Sequence, residues 1–199
     1  MNIYSQATFL KSAAKFNQFP EDHGIEVAFA GRSNVGKSSA LNCLTTQKKL
    51  AKISKTPGRT QLINLFTLDE SRRLVDLPGY GYAQVPQKIK EAWQHNVTKY
   101  LECRQCLQGI ILLVDCRHDP KELDHLMIQY ALHRQLPIHI LLTKIDKLSY
   151  SNAKNCVIKL HEYFSNISDL ISVQPFSSTH HIGLEVLIDK LNEWFDYKS

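Results

Sequence analysis

Apolar residues form unbroken runs at 27–30, 110–114 and 140–142. Runs without polar alternation fit strands buried on both faces, as in a parallel sheet covered by helices. Extending them to the nearest breakers predicts strands over 26–31, 109–115 and 138–143, and shorter mixed stretches add strands over 62–68, 72–75 and 172–176. Helical spacing fills the intervals, over 37–44, 86–103, 120–134, 151–164 and 184–195, with Pro86 suited to a first helical turn. Asp69-Glu70-Ser71 reads as a hairpin turn between the second and third strands. The expected fold is therefore α/β, a mostly parallel six-stranded sheet with helices on both faces and one antiparallel strand. Residues 1–24 precede the first strand and are expected to be an N-terminal extension to a single domain over 25–199.

The chain of 199 residues suits one domain with a full core, and its 43% hydrophobic and 22% charged composition excludes disordered and fibrous classes. The longest apolar run, 110–114, is far below the roughly 20 residues of a membrane span. Residues 1–20 lack an apolar signal region, and the five cysteines are an odd, scattered set. Both features predict a cytoplasmic protein with reduced thiols. The net charge of +5 is unevenly placed: residues 27–68 hold seven bases (Arg32, Lys37, Lys48, Lys49, Lys52, Lys55, Arg59), and all 19 acids lie elsewhere. Such a stretch predicts a polyanionic partner, a nucleotide, an RNA or both.

Gly31-Arg-Ser-Asn-Val-Gly36-Lys37-Ser38 fits G-x-x-x-x-G-K-S/T, directly after a strand and opening a helix. Its glycines let backbone N–H groups close around phosphates at a positive helix end. Lys37 is expected to reach the β and γ phosphates and the Ser38 hydroxyl to ligate Mg²⁺. Asp76-Leu77-Pro78-Gly79 follows 38 residues after Ser38. There a carboxylate can hold Mg²⁺ through water and the Gly79 N–H can approach the γ-phosphate. Thr143-Lys144-Ile145-Asp146 ends another strand. An ionised Asp146 accepts the paired N1–H and 2-amino donors of guanine, which adenine lacks, and Lys144 can lay its stem over the base. Phe176-Ser177-Ser178 would border the base edge. Each segment alone reads as ordinary turn chemistry; four in order, each at a strand's carboxyl end, specify one ligand edge.

These stretches, with Thr56-Pro-Gly58-Arg59-Thr60-Gln61 and Asp76-Leu-Pro-Gly-Tyr-Gly-Tyr-Ala83, resemble the EngB family of bacterial Ras-like GTPases. The resemblance implies a Ras-like P-loop fold and a slow Mg²⁺-dependent GTPase that switches shape around 51–60 and 78–86. It further implies a role in large ribosomal subunit assembly, with effects on cell division and septation. Thr60 would be the switch threonine on Mg²⁺, beside Ser38 and Asp76, and the GTP- or GDP-contacting set would include Arg32, Ser33, Asn34, Val35, Gly36, Ser39, Gly58, Gln61, Leu62 and Ile145. Thr143 stands where many GTPases carry Asn, as in this family. Tyr80 follows the Gly79 of D-x-x-G, where many Ras-like proteins place a water-orienting Gln, so hydrolysis is expected to be slow. Two groups are candidates to supply the missing charge: Asn34, through a bound K⁺, or Arg59 as a finger in cis.

Lys48, Lys49, Lys52 and Lys55 are expected to form a mobile basic flank touching the large subunit or its rRNA, of a chain acting as a monomer. Rival readings are an ATPase with the same phosphate loop, or a module in which nucleotide is only structural. Cys103-Arg-Gln-Cys106 reads as two thiols near a helix end, His180-His181 as a solvated loop, and Trp93 and Tyr100 as core. Asp115-Cys-Arg-His118 is interaction surface or loop structure.

Overall fold

The structure, a computed structural model, describes residues 2–51, 62–81 and 87–197. The six expected strands are present as β2 (Ile25–Gly31), β3 (Ile63–Thr67), β4 (Arg72–Asp76), β5 (Leu107–Asp115), β6 (Ile138–Thr143) and β7 (Ile171–Pro175). A seventh, β1 (Thr8–Ala13), comes from the segment read as an extension. The order is β1-β3-β4-β2-β5-β6-β7; β3 runs against β1 and β4, and the other neighbours are parallel. The count of six thus falls short by the edge strand. Thr-Phe-Leu-Lys-Ser-Ala has no clean alternation, with Phe9 and Leu10 exposed and only Ala13 buried. It becomes a strand by pairing Thr8 with Thr67 and Ala13 with Ile63, a relation absent from any local window.

The helices are α1 (Lys37–Leu44), α2 (Gln87–Cys103), α3 (Glu122–His133), α4 (Tyr150–Ser165) and α5 (Leu184–Trp194). Successive strand residues point to opposite faces and so build two cores. Val27, Phe29, Ile111 and Leu113 pack with Leu41 and Leu44 of α1 and Leu187 and Leu191 of α5. Ala28, Ala30, Ile110, Leu112 and Val114 pack with Tyr100 of α2, Ile128 of α3 and Phe164 of α4. A short 3-10 turn, Ile3–Gln6, joins the first core, and its Tyr4 hydroxyl donates to Asn192 Oδ1 at 2.8 Å. Among the described residues no helix is long and apolar enough to cross a membrane.

The sheet is pinned where β2 begins by a buried carboxylate. Glu26 accepts from Arg73 Nε (2.9 Å), from Arg104 Nε and Nη2 (3.0 and 2.6 Å) and from the Tyr100 hydroxyl (3.0 Å). Burial would raise its pKa, but the two guanidinium groups outweigh that and hold it below the usual range. The opposite ends of β2, β4, β6 and β7 carry the expected motifs.

Candidate nucleotide site

The phosphate loop runs from Gly31 at the end of β2 to Lys37 at the start of α1. Gly36 has φ +109°, a left-handed conformation that glycine adopts at no steric cost, and it sets the turn into the helix. The Ser33 N–H donates to the Tyr80 carbonyl at 2.8 Å, tying the loop to the segment after β4. Gly79 passes so close that a Cβ there would lie 3.0 Å from Ser33 Oγ, and Ser33 would have to give way to it. Ser33 Oγ is itself buried and without a hydrogen-bond partner.

Lys37 and Asp76 meet on the cleft floor as an ion pair between Nζ and Oδ1, each side chain about nine-tenths buried. Asn64 of β3 extends an amide toward Asp76 Oδ2 at 3.5 Å and accepts from the Ser12 hydroxyl of β1 at 2.7 Å. The carboxylate is thus steered from the sheet edge.

The end expected to read the base is built from three strand termini. Ser177, just after β7, donates from Oγ to Asp146 Oδ1 at 2.7 Å. That hydrogen bond is the main reason the Asp146 pKa falls below its ordinary value, so the group is an acceptor at neutral pH. Asp146 Oδ2 lies 3.2 Å from Lys147 Nζ, yet is buried without a hydrogen bond. An acceptor held ionised, with its second oxygen paired only to the exposed Lys147 ammonium, suits a ligand edge that presents adjacent N–H donors. Lys144 has φ +61° and sends Nζ to the Asn34 carbonyl (2.7 Å) and to Asp115 Oδ2 (2.8 Å). Burial raises the Asp115 pKa, but hydrogen bonds from Arg117 and Lys144 outweigh it and keep the carboxyl well below the carboxylate range.

The profile of the family described as "50S ribosome-binding GTPase" matches residues 26–144. The chain is 52% identical over 196 residues to "Probable GTP-binding protein EngB" of Hydrogenovibrio crunogenus, covering 98% of this chain and 92% of that one. It is 54% identical over 194 residues to the protein of the same name in Francisella philomiragia, covering 96% and 98%. The crystal structure of "a probable GTP-binding protein engB" shares the fold at TM-score 0.69 and 23% identity, over 87% of this chain and all of the other. This chain belongs to the EngB family. It is a GTP-binding protein and a GTPase, on a P-loop fold.

In this EngB chain, Arg32, Ser33, Asn34, Gly36, Lys37, Ser38, Ser39, Leu62, Asp76, Pro78, Gly79 and Lys144 line one continuous cleft, as the motifs require. Val35, Leu77, Ile145 and Phe176 instead turn their side chains inward, at 6% exposure or less, and can offer only backbone. Thr143 is also 3% exposed; its hydroxyl donates to the Val35 carbonyl at 2.7 Å and lies 3.3 Å from the Val114 carbonyl. Ser178 is half-buried beyond Ser177. Gly58, Arg59, Thr60 and Gln61, with Lys52 and Lys55, lie outside the described residues, and nothing is described of the Trp93 side chain. Tyr100 is fully buried, as expected of a core residue.

Two lysines of the expected basic flank, Lys48 and Lys49, lie among the described residues. Asn42 of α1 accepts from the Ala51 N–H (2.8 Å) and donates to the carbonyls of Lys48 (3.3 Å) and Ala51 (3.1 Å). Lys48 and Lys49 therefore stand on a folded turn. Asp115, expected only as interaction surface or loop structure, anchors Lys144, and Ser177, expected to border the base edge, orients Asp146 through its hydroxyl. Asp115 closes β5 and Ser177 follows β7, so these pairings arise only once the strands are neighbours.

Proposed function

We propose that this EngB-family chain is a slow, Mg²⁺-dependent GTP switch acting in the cytoplasm on the assembling large ribosomal subunit, so that division and septation depend on it. The observation that carries the nucleotide part is Asp146, ionised, oriented by Ser177 and left with a buried acceptor. Support for the partner is the "50S ribosome-binding" description of the matching family, together with a base-rich surface beside the cleft.

Ser38 and Asp76 would hold Mg²⁺, with Thr60 added by the family resemblance; the ion, when bound, offsets the negative charge of the β and γ phosphates. The fit rests on an oxygen donor set at the mouth of a phosphate loop, on the same floor as Lys37. In the mechanism, Lys37 turns from Asp76 to the phosphate oxygens, which frees the carboxylate. Asn64 and Ser12 keep that carboxylate aimed along the cleft. Lys144, held by Asp115 and the Asn34 carbonyl, borders the base.

Tyr80 explains a slow rate. It is 3% exposed and its hydroxyl donates to Asp124 Oδ1 of α3 at 2.6 Å. Burial and the nearby Asp124 carboxylate both push the phenol well above its ordinary pKa, so it stays protonated. A ring committed to α3 does not orient water as the usual Gln does. The Tyr80 carbonyl also receives the Ser33 N–H, so a shift in this segment moves both the phosphate loop and α3. The added catalytic charge is then K⁺ held by exposed Asn34, or Arg59. The test is GTP hydrolysis with and without purified large subunits. Stimulation accompanied by GTP-dependent co-sedimentation supports the reading; an unchanged rate and no co-sedimentation overturn it.

A further inference from the structure

The nucleotide cleft does not end at the phosphate loop. It runs outward past Asn64 to Leu62, Phe66, Lys48, Lys49 and Phe9 on the edge strand β1. Phe9 is 57% exposed, its ring 6.1 Å from that of Phe66 in an edge-on contact. The Gln47 side chain donates to the Ala7 carbonyl at 2.7 Å and the Ser5 carbonyl at 3.2 Å. It thereby clamps the turn carrying Lys48 and Lys49 against the start of β1. With Asn42 gripping the same turn from α1, two cations and an open aromatic ring share one outer arm of the cleft.

The charge along this arm selects among occupants. Among the described residues five bases line the cleft (Arg32, Lys37, Lys48, Lys49, Lys144) against one acid, Asp76, which is already paired deep on the floor. Residues 1–20 and 27–68, which the β1–β3 pairing brings together, contain no acid at all. A protein partner would most simply meet an exposed apolar residue with an apolar surface, for which flanking lysines are a desolvation cost. An anionic chain that also carries flat rings satisfies both features. We propose that the outer arm binds single-stranded RNA, one base stacked on Phe9 and adjacent phosphates on Lys48 and Lys49. The proposal deepens the ribosomal reading by naming RNA, not ribosomal protein, as what this arm touches.

The test uses the full chain, with GDP and a labelled, unstructured 12-nucleotide RNA in an anisotropy titration across a salt series, and with GTP in a parallel large-subunit co-sedimentation. Phe9→Ala and Phe9→Leu should each weaken the oligonucleotide about 5- to 100-fold, the range expected for one stacked base, while Phe9→Tyr stays near wild type. Phe9→Leu retains packing on Phe66 but has no ring face, so it separates stacking from a fold defect. Lys48→Ala with Lys49→Ala should flatten the log–log salt slope by about 0.7 per lost contact. GDP affinity should hold in every variant. Leucine binding RNA like phenylalanine overturns the proposal, as does wild-type protein that sediments with subunits yet ignores the oligonucleotide, which would place a protein there. RNA binding that needs the Phe9 ring, without subunit sedimentation, sustains this inference while removing the ribosomal one.

Discussion

The Thr143 hydroxyl donates to the Val35 carbonyl at 2.7 Å, so the strand leading to the base-reading turn also braces the phosphate loop. Replacing Thr143 by Val removes that donor at nearly constant volume, at a cost of about 0.5–1.5 kcal/mol. Affinities for GTP and GDP should fall together, by about 2- to 10-fold, with base preference unchanged. Calorimetric titration of both nucleotides, with xanthosine triphosphate as the competitor, checks this. A shifted preference at constant affinity would mean that Thr143 reads the base.

Asp146 carries the opposite expectation. Asp146→Asn keeps an oxygen to accept from Ser177 but presents an amide donor where guanine's amino group would sit. Binding should move from GTP toward xanthosine triphosphate, whose 2-oxo group accepts. Equal GTP affinity in wild type and variant would take Asp146 out of the pocket.

The two sources of catalytic charge separate in a salt exchange. With K⁺ at Asn34, turnover rises when K⁺ replaces Na⁺ at equal ionic strength, and Asn34→Ala abolishes the difference while GTP still binds. If the two salts give one rate and Arg59→Ala alone collapses it, the arginine holds the role. By analogy with arginine fingers, the loss would be on the order of 10³ or more.

His139 gives the fold a pH dependence. Its Nε2–H donates to Gln174 Oε1 at 2.7 Å while Nδ1, 2.6 Å from Ser172 Oγ, accepts. The amide orientation follows because Gln174 Nε2 donates to the Gly183 carbonyl. Burial, the largest effect, lowers the pKa below 6.5; the Gln174 hydrogen bond opposes it, and Lys190 (lowering) and Glu193 (raising) add weaker effects. The unfolded chain therefore takes up a proton before the native one does, and stability is retained above about pH 6.5 and lost as pH falls toward the native value. Thermal melts between pH 7.5 and 5 should show a steeper decline for wild type than for His139→Gln. Parallel slopes would show that His139 does not control this loss.

What could be read from the chain divides by range. The unbroken apolar runs of β2, β5 and β6 announce doubly covered strands. Gly31 to Ser38 is complete within eight residues, so its chemistry is legible without a fold. Asp115 with Lys144, and Ser177 with Asp146, join the ends of separate strands, and their meaning arises only when β5, β6 and β7 lie side by side. The lysine turn is illegible for a related reason: the hydrogen bonds that hold it come from Asn42 and Gln47, which resemble any polar surface residue in sequence.

Strand β1 has a practical consequence for anyone shortening the protein. A chain beginning at Ile25 would keep every nucleotide motif, yet β3 would become the outermost strand. Its backbone from Ile63 to Thr67, now hydrogen-bonded on both sides, would have one bare flank between two apolar faces. Unpaired flanks of that kind recruit other chains. The first two dozen residues thus act as a built-in solubility guard, and a trimmed version should self-associate in size-exclusion chromatography even where it still binds GDP.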